Sequence, residues 1–171
     1  MRIATILIAI LLALGITNAD TFINYKHLTK KLKEQNRKNG TMASTDDVKK
    51  ALKSKDWAVV DVRTLEEWNA ASIKGSVRVG RQAPEKVLES IVLDDDDKFI
   101  KDKLVVICNT ASRASIEAQT FRQMGFKKVK IYPIYKWIDE CNPVATRYTN
   151  KKYKKGTKKK FGLFYTEHCK K

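Results

Sequence analysis

The chain has 171 residues, 43% of them apolar, which is enough for one domain with a hydrophobic core and too few for two. Thirty-five Lys and Arg against nineteen Asp and Glu give a formal charge of +16 and a pI near 9.8, which excludes an acidic solvating protein and favours anionic partners. Three cysteines without a Cys-x-x-Cys pair, and two histidines far apart at His27 and His168, supply neither the usual four-ligand zinc spacing nor a haem attachment site. No metal and no cofactor is expected.

Residues 1–19 begin with basic Arg2, continue as an apolar run from Ile3 to Ile16, and end in Thr17-Asn18-Ala19 before Asp20. That is the pattern of a secretory signal peptide cleaved after Ala19. The apolar run has 14 residues, short of the roughly 18 that span a bilayer, so an uncleaved membrane anchor is the second reading. No cysteine stands at the cleavage point to carry a lipid. A bacterial periplasmic or secreted protein is expected, in a compartment where two of the three cysteines can be oxidised together. Residues 20–42, with Lys26, Lys30, Lys31, Lys33, Arg37 and Lys38, form a basic segment read as a surface helix or a loose linker.

Residues 43–141 read as the folded domain. Ser44 with Asp47 three residues on resembles a capping box, and Val48, Ala51 and Leu52 make a helical stripe of two to three turns. Trp57-Ala58-Val59-Val60 is short, apolar and β-branched, a buried strand. Val77 and Val79 mark a second short strand, Pro84 to Ile91 a helix with Pro in its first turn, and Leu104-Val105-Val106-Ile107 the most apolar strand. The acidic run Asp94 to Asp97 lacks the interleaved Gly and distal Glu of a calcium loop and reads as a solvated connection. After Cys108 and a polar stretch, Ala114, Ala118 and Phe121 share one helical face that ends at Gly125, and Val129 and Ile131 make the next strand. Strands alternating with helices at this spacing predict an α/β fold, an open and mostly parallel sheet with helices on both faces and the ligand site at the carboxyl ends of the strands.

Cys108 falls where such a strand stops, and Asn109-Thr110-Ala111-Ser112-Arg113 is a polar turn before a helix. A loop feeding a helix N-terminus forms an anion cradle, and such a cradle favours the thiolate of a cysteine within it. Arg113 adds a fixed positive charge that either faces the ligand or braces the loop. The competing reading makes Cys108 a buried small apolar residue that closes a strand.

Over roughly Ala43 to Cys141 the chain resembles the rhodanese-like family of sulfurtransferases. The resemblance rests on Asp61-Val62-Arg63 with Glu66-Glu67-Trp68, on Ser72-Ile73-Lys74-Gly75-Ser76 with Ser in place of the usual His, and on Val105-Val106-Ile107-Cys108 with Arg113-Ala114-Ser115. It implies that Cys108 takes the outer sulfur of an anionic donor, holds it as a persulfide and passes it to a thiol or protein acceptor, while Asn109 to Arg113 stabilise the charge. The six positions from Cys108 to Arg113 match the sulfur-transferring loop; the related phosphatases and arsenate reductases have one residue more. Ala111 stands where the family commonly has Gly, Asn109 where many members have Arg or Lys, and Tyr132-Pro133-Ile134-Tyr135 where a Gly-Gly stretch is usual, placing bulk at the rim. These departures bring a polysulfide or a protein persulfide level with thiosulfate as donor. A module that carries sulfur or binds a partner without turnover is the rival function, and a small phosphatase or arsenate reductase, weakened by the loop count, is the second. Asp61, Arg63 and Glu67 are assigned to supporting salt bridges, and Trp57, Trp68 and Trp137 to packing.

From Ala51 to Thr146 there are 16 basic and 14 acidic residues, whereas Arg147 to Lys171 holds ten basic and one acidic. The charge therefore belongs mostly to the tail, residues 142–171. Its Lys residues interleaved with Tyr and Phe suit nucleic acid, but export argues for an acidic protein or anionic lipid instead. Cys141 and Cys169 bracket this tail and are expected to form a disulfide that fastens it back; the alternative is that one of them resolves sulfur on Cys108.

Overall fold

A computed structural model describes residues 22–148, 155–162 and 169. The expected signal peptide and part of the basic tail lie outside the described residues. The described elements, in chain order, are α1 (Tyr25–Lys38), α2 (Thr45–Lys53), β1 (Trp57–Asp61), α3 (Leu65–Ala70), β2 (Val77–Arg78), α4 (Pro84–Val92), β3 (Lys103–Cys108), α5 (Ser112–Gln123), β4 (Lys128–Pro133), α6 (Ile134–Asp139), β5 (Val144–Tyr148) and β6 (Lys155–Gly162). Strands β2-β1-β3-β4 form one sheet, parallel throughout. Asp61 lies opposite both Arg78 and Ile107, and Cys108 lies opposite Pro133, so the carboxyl ends of all four strands reach the same edge.

The sheet is apolar on both faces because each face is covered. Side chains alternate along a strand, and on β3 this sends Leu104, Val106 and Cys108 into a core with Leu88 and Val92 of α4 and Ala114, Ala118 and Phe121 of α5. Val105 and Ile107 enter the opposite core with Val48 and Ala51 of α2 and Trp137 and Ile138 of α6. Residues 104–108 are all within 1% of complete burial, which is why the run shows no polar alternation. Helix α2 starts in the expected capping box, with Ser44 and Asp47 exchanging side-chain-to-backbone bonds, and Gly125, at φ +94, follows the C-cap of α5.

Residues 20–42 contribute α1, and it is docked. Leu32 and Asn36 are buried, and Arg122 of α5 donates to Asn36 Oδ1 at 2.7 Å and to the carbonyl of Val129 at 3.1 Å. Beyond α1, Ala43 N donates to the carbonyl of Ile131, and Ile131 N to that of Thr41, which covers the outer edge of β4.

Two features differ from the sequence expectation. Tyr132 and Ile134 are core residues with no exposed surface, so the stretch expected at the rim leaves only Tyr135 substantially open. The Tyr132 hydroxyl bonds Thr45 Oγ1 at 2.8 Å, which in turn donates to Glu140, and burial pushes the phenol up to about 12. Within the tail, β5 and β6 form an antiparallel hairpin, and Ala145 pairs with Ser72 through two backbone bonds of 2.8 and 2.9 Å. Ser72 therefore anchors the hairpin through its backbone. Cys141 and Cys169 are joined as a disulfide with Cα atoms 5.3 Å apart. Among the described residues no helix is long and apolar enough to cross a membrane.

Candidate active site

Cys108 ends β3 at the carboxyl edge of the sheet and is 1% exposed. The chain then turns through Asn109, Thr110 and Ala111 into α5. Ala111 holds a left-handed conformation at φ 67 and ψ −1, the geometry that favours glycine; its methyl group costs of order 1 kcal/mol there. This turn brings the backbone N–H of Ala114 to 3.4 Å from Cys108 Sγ. The five preceding N–H groups, Asn109 to Arg113, have no acceptor among the described residues. Successive unpaired N–H groups around a left-handed residue, joined to a helix N-terminus, form a concavity for an anion.

The side chains around the turn are tied to one carboxylate. Glu67 accepts both Arg113 guanidinium nitrogens, at 2.7 and 2.6 Å, and Asn109 Nδ2 at 2.7 Å. Its Oε2 also accepts the backbone N–H of Thr64 at 2.9 Å, closing the capping box of α3. Arg113 foremost, against the opposing effect of burial, holds the Glu67 carboxyl down to about 2. Arg113 is raised in return by Glu67, with smaller contributions from nearby Cys108 and Tyr25. Asn109 Oδ1 accepts from Arg63 Nη1 at 3.3 Å, which links this cluster to the buried pair below it. There Arg63 Nη2 meets Asp61 Oδ2 at 2.7 Å, with the side chains 3% and 0% exposed. Burial pushes the Asp61 carboxyl up, against the pull of Arg63. Arg63 also donates to the carbonyls of Ala71 at 2.6 Å and Glu67 at 3.3 Å.

The residues expected at the site are thus brought together, with the roles divided. Cys108 and the backbone from Asn109 to Arg113 make the cradle. Asn109 and Arg113 commit their side chains to Glu67, so Arg113 braces the loop, while Thr110 and Ser112 stand at the mouth with their hydroxyls 3.3 Å apart. Asp61, Arg63 and Glu67 form the supporting salt bridges. Trp137 is buried and donates its indole N–H to the carbonyl of Pro143. Tyr135 was expected only as bulk; its backbone N–H donates to the carbonyl of Asn109 at 3.4 Å, tying the cradle to α6. Arg78, at the end of β2, and Arg81, just past it, carry no signal in the sequence, because sequence does not show which arginines meet no carboxylate among the described residues.

The sequence model of the family described as Rhodanese-like domain matches residues 44–134. Among solved structures, the chain is similar to a polysulfide-sulfur transferase homodimer from Wolinella succinogenes, at 28% identity and a TM-score of 0.55 over 72% of this chain and 88% of that one. A protein of Rhodopseudomonas palustris described as of unknown function, possible tyrosine phosphatase, aligns at 21% identity and a TM-score of 0.49, over 75% of this chain and 98% of that one. Comparison with curated proteins gives no match.

Proposed function

Because the chain belongs to the rhodanese-like domain family, we propose that it is a sulfurtransferase in which Cys108 carries the transferred sulfur. The observation that carries this reading is the buried Cys108 sulfur seated against the Ala114 N–H, with five N–H groups on the turn beside it that meet no acceptor among the described residues. In the loading step the Cys108 thiolate attacks the outer sulfur of the donor. For a polysulfide, a bond forms between Sγ and that sulfur, the adjoining S–S bond breaks, and the electron pair leaves with a chain one sulfur shorter. The persulfide is an anion, and preorganised N–H groups stabilise it and the departing charge without reorganising. No base is required of Asp61 or Glu67, and their carboxylates are already occupied by Arg63 and Arg113.

The similarity to a polysulfide-sulfur transferase supports polysulfide as a donor, with thiosulfate and a protein persulfide as the other candidates. Residues 1–19 direct export in this reading and are removed after Ala19, and the basic tail meets an acidic protein or anionic lipid. Turnover tests the catalytic claim: polysulfide and a thiol acceptor are supplied to the wild type and to Cys108→Ala, and acceptor persulfide is followed. Repeated turnovers that vanish in the variant support the proposal. One equivalent of sulfur carried without turnover indicates a carrier module, and no dependence on Cys108 overturns the assignment.

A further inference from the structure

Four arginines stand at the carboxyl ends of β1, β2 and β3, and they divide into two pairs. Arg63 is neutralised by Asp61 and Arg113 by Glu67. Arg78 and Arg81 form no ion pair among the described residues. With Thr64, Leu65, Gly80 and Val87 they line a cleft of about 750 Å³. Glu66 also borders this cleft and pairs with neither arginine. Arg78 Nη1 donates to the carbonyl of Arg63 at 3.4 Å, and the backbone behind it is open because residue 80 is glycine. A Cβ there would lie 2.6 Å from Arg78 Nη1, on a backbone at φ +81.

The cleft adjoins the cradle. Arg78 and Ile107 are both in register with Asp61, so the backbone of Arg78 stands level with that of the residue before Cys108, two strand spacings or about 9–10 Å away. Val79 shares a buried cluster with Cys108 and Ala111. Helix α3 separates the two sites, with Leu65 and Glu66 bordering the cleft and Glu67 holding the cradle.

That spacing discriminates between ligands. Thiosulfate and the shortest polysulfides carry their charge within a bond or two of the reacting sulfur, where the cradle N–H groups meet it rather than at the cleft. An extended residue spans about 3.5 Å, so a carboxylate two or three residue lengths from a cysteine thiol does reach it. We infer that Arg78 and Arg81 bind the carboxylate of a peptidic thiol that accepts the sulfur from Cys108. This rests on the proposed sulfur-carrying role. The acceptor thiol attacks the outer sulfur of the anionic persulfide as its proton passes to that sulfur, the bond from that sulfur to Sγ breaks, and its electron pair returns to Cys108 as the thiolate. The acceptor leaves as R–S–SH, and no oxidant or reductant is consumed.

Glutathione and its diethyl ester, which masks both carboxylates, provide a matched pair of probes. In steady-state transfer from polysulfide, wild type is expected to show a KM for glutathione about tenfold below that for the ester. Arg78→Gln/Arg81→Gln raises the glutathione KM toward the ester value and moves KM more than kcat. Arg81→Gln alone, at an exposed position, gives a partial shift in a chain whose packing is untouched. Equal KM values for the two thiols in wild type, or an unchanged preference in the double variant, overturn the inference. Slower loading of Cys108 from polysulfide in the double variant places the arginines on the donor side and overturns it as well. Calorimetry with unreactive S-methylglutathione on Cys108→Ala protein gives a readout independent of transfer. Binding that the two arginine substitutions abolish supports the cleft even if Cys108 carries no sulfur, and absence of binding overturns it.

Discussion

Glu67→Gln isolates the brace of the cradle, because one carboxylate accepts from Arg113, Asn109 and the backbone of Thr64. Holding this carboxyl down to about 2 corresponds at face value to about 3 kcal/mol by linkage. The side chain is 27% exposed, so solvent screens the pair and about 1–2 kcal/mol is the working figure. For a chain of this size the melting temperature of Glu67→Gln should fall by about 2–8 °C at pH 7. The sign of the pH dependence follows from a depressed acid. The stabilisation is complete above the ordinary glutamate range and is lost as pH falls through about 2, so roughly half or less remains at pH 3. Thermal unfolding of both proteins at pH 7 and pH 3 measures the gap, and sulfur loading of Cys108 should slow in the variant as the loop loosens. Equal melting temperatures at pH 7, or a gap that does not narrow at pH 3, would refute the assignment of Glu67 as the brace.

Removing the buried anion in Asp61→Asn leaves Arg63, 3% exposed, without its counter-charge and should cost about 3–5 kcal/mol in urea unfolding; a loss under 1 kcal/mol contradicts the pairing. Ala111→Gly relieves about 1 kcal/mol of left-handed strain but removes a buried methyl of similar worth, so its unfolding midpoint should stay close to wild type. A large drop would mean that the methyl packs more tightly than the turn is strained. Cys169→Ser opens a bridge with a sequence separation of 28, worth about 3–4 kcal/mol on the chain-entropy estimate. Reductant should lower wild-type stability to the variant's level and leave the variant unchanged.

The elements visible in the sequence are those whose burial leaves a one-dimensional trace. β1 and β3 are apolar throughout because both faces of the sheet are covered, and Ser44 with Asp47 marks α2 by the chemistry of its cap. Helices α3 and α6, at six residues each, are too short for a periodic stripe. The β5–β6 hairpin is hidden by its lysines, since its placement depends on backbone pairing with Ser72 that no side-chain pattern encodes. Tyr132 looks like rim bulk beside Pro133, but its strand position points it into the core under α2 and α6.

At the site, the end of an apolar strand and the polar turn after it pointed to Cys108, the family resemblance decided between a nucleophile and a buried structural cysteine, and the positive φ of Ala111 matches the departure from glycine noted there. What spacing left open was the direction of Arg113. That depends on Glu67, 46 residues earlier, and pairing over such a distance follows from the sheet order. The same limit hid Arg78 and Arg81, whose distinction is that no described carboxylate meets them.

Intact mass of the purified protein before and after brief polysulfide exposure, beside Cys108→Ala, tests the central claim most directly. One added sulfur on wild type, removed by a thiol acceptor and never acquired by the variant, is the predicted result. Equal sulfur gain by both proteins, or none by either, would contradict Cys108 as the carrier.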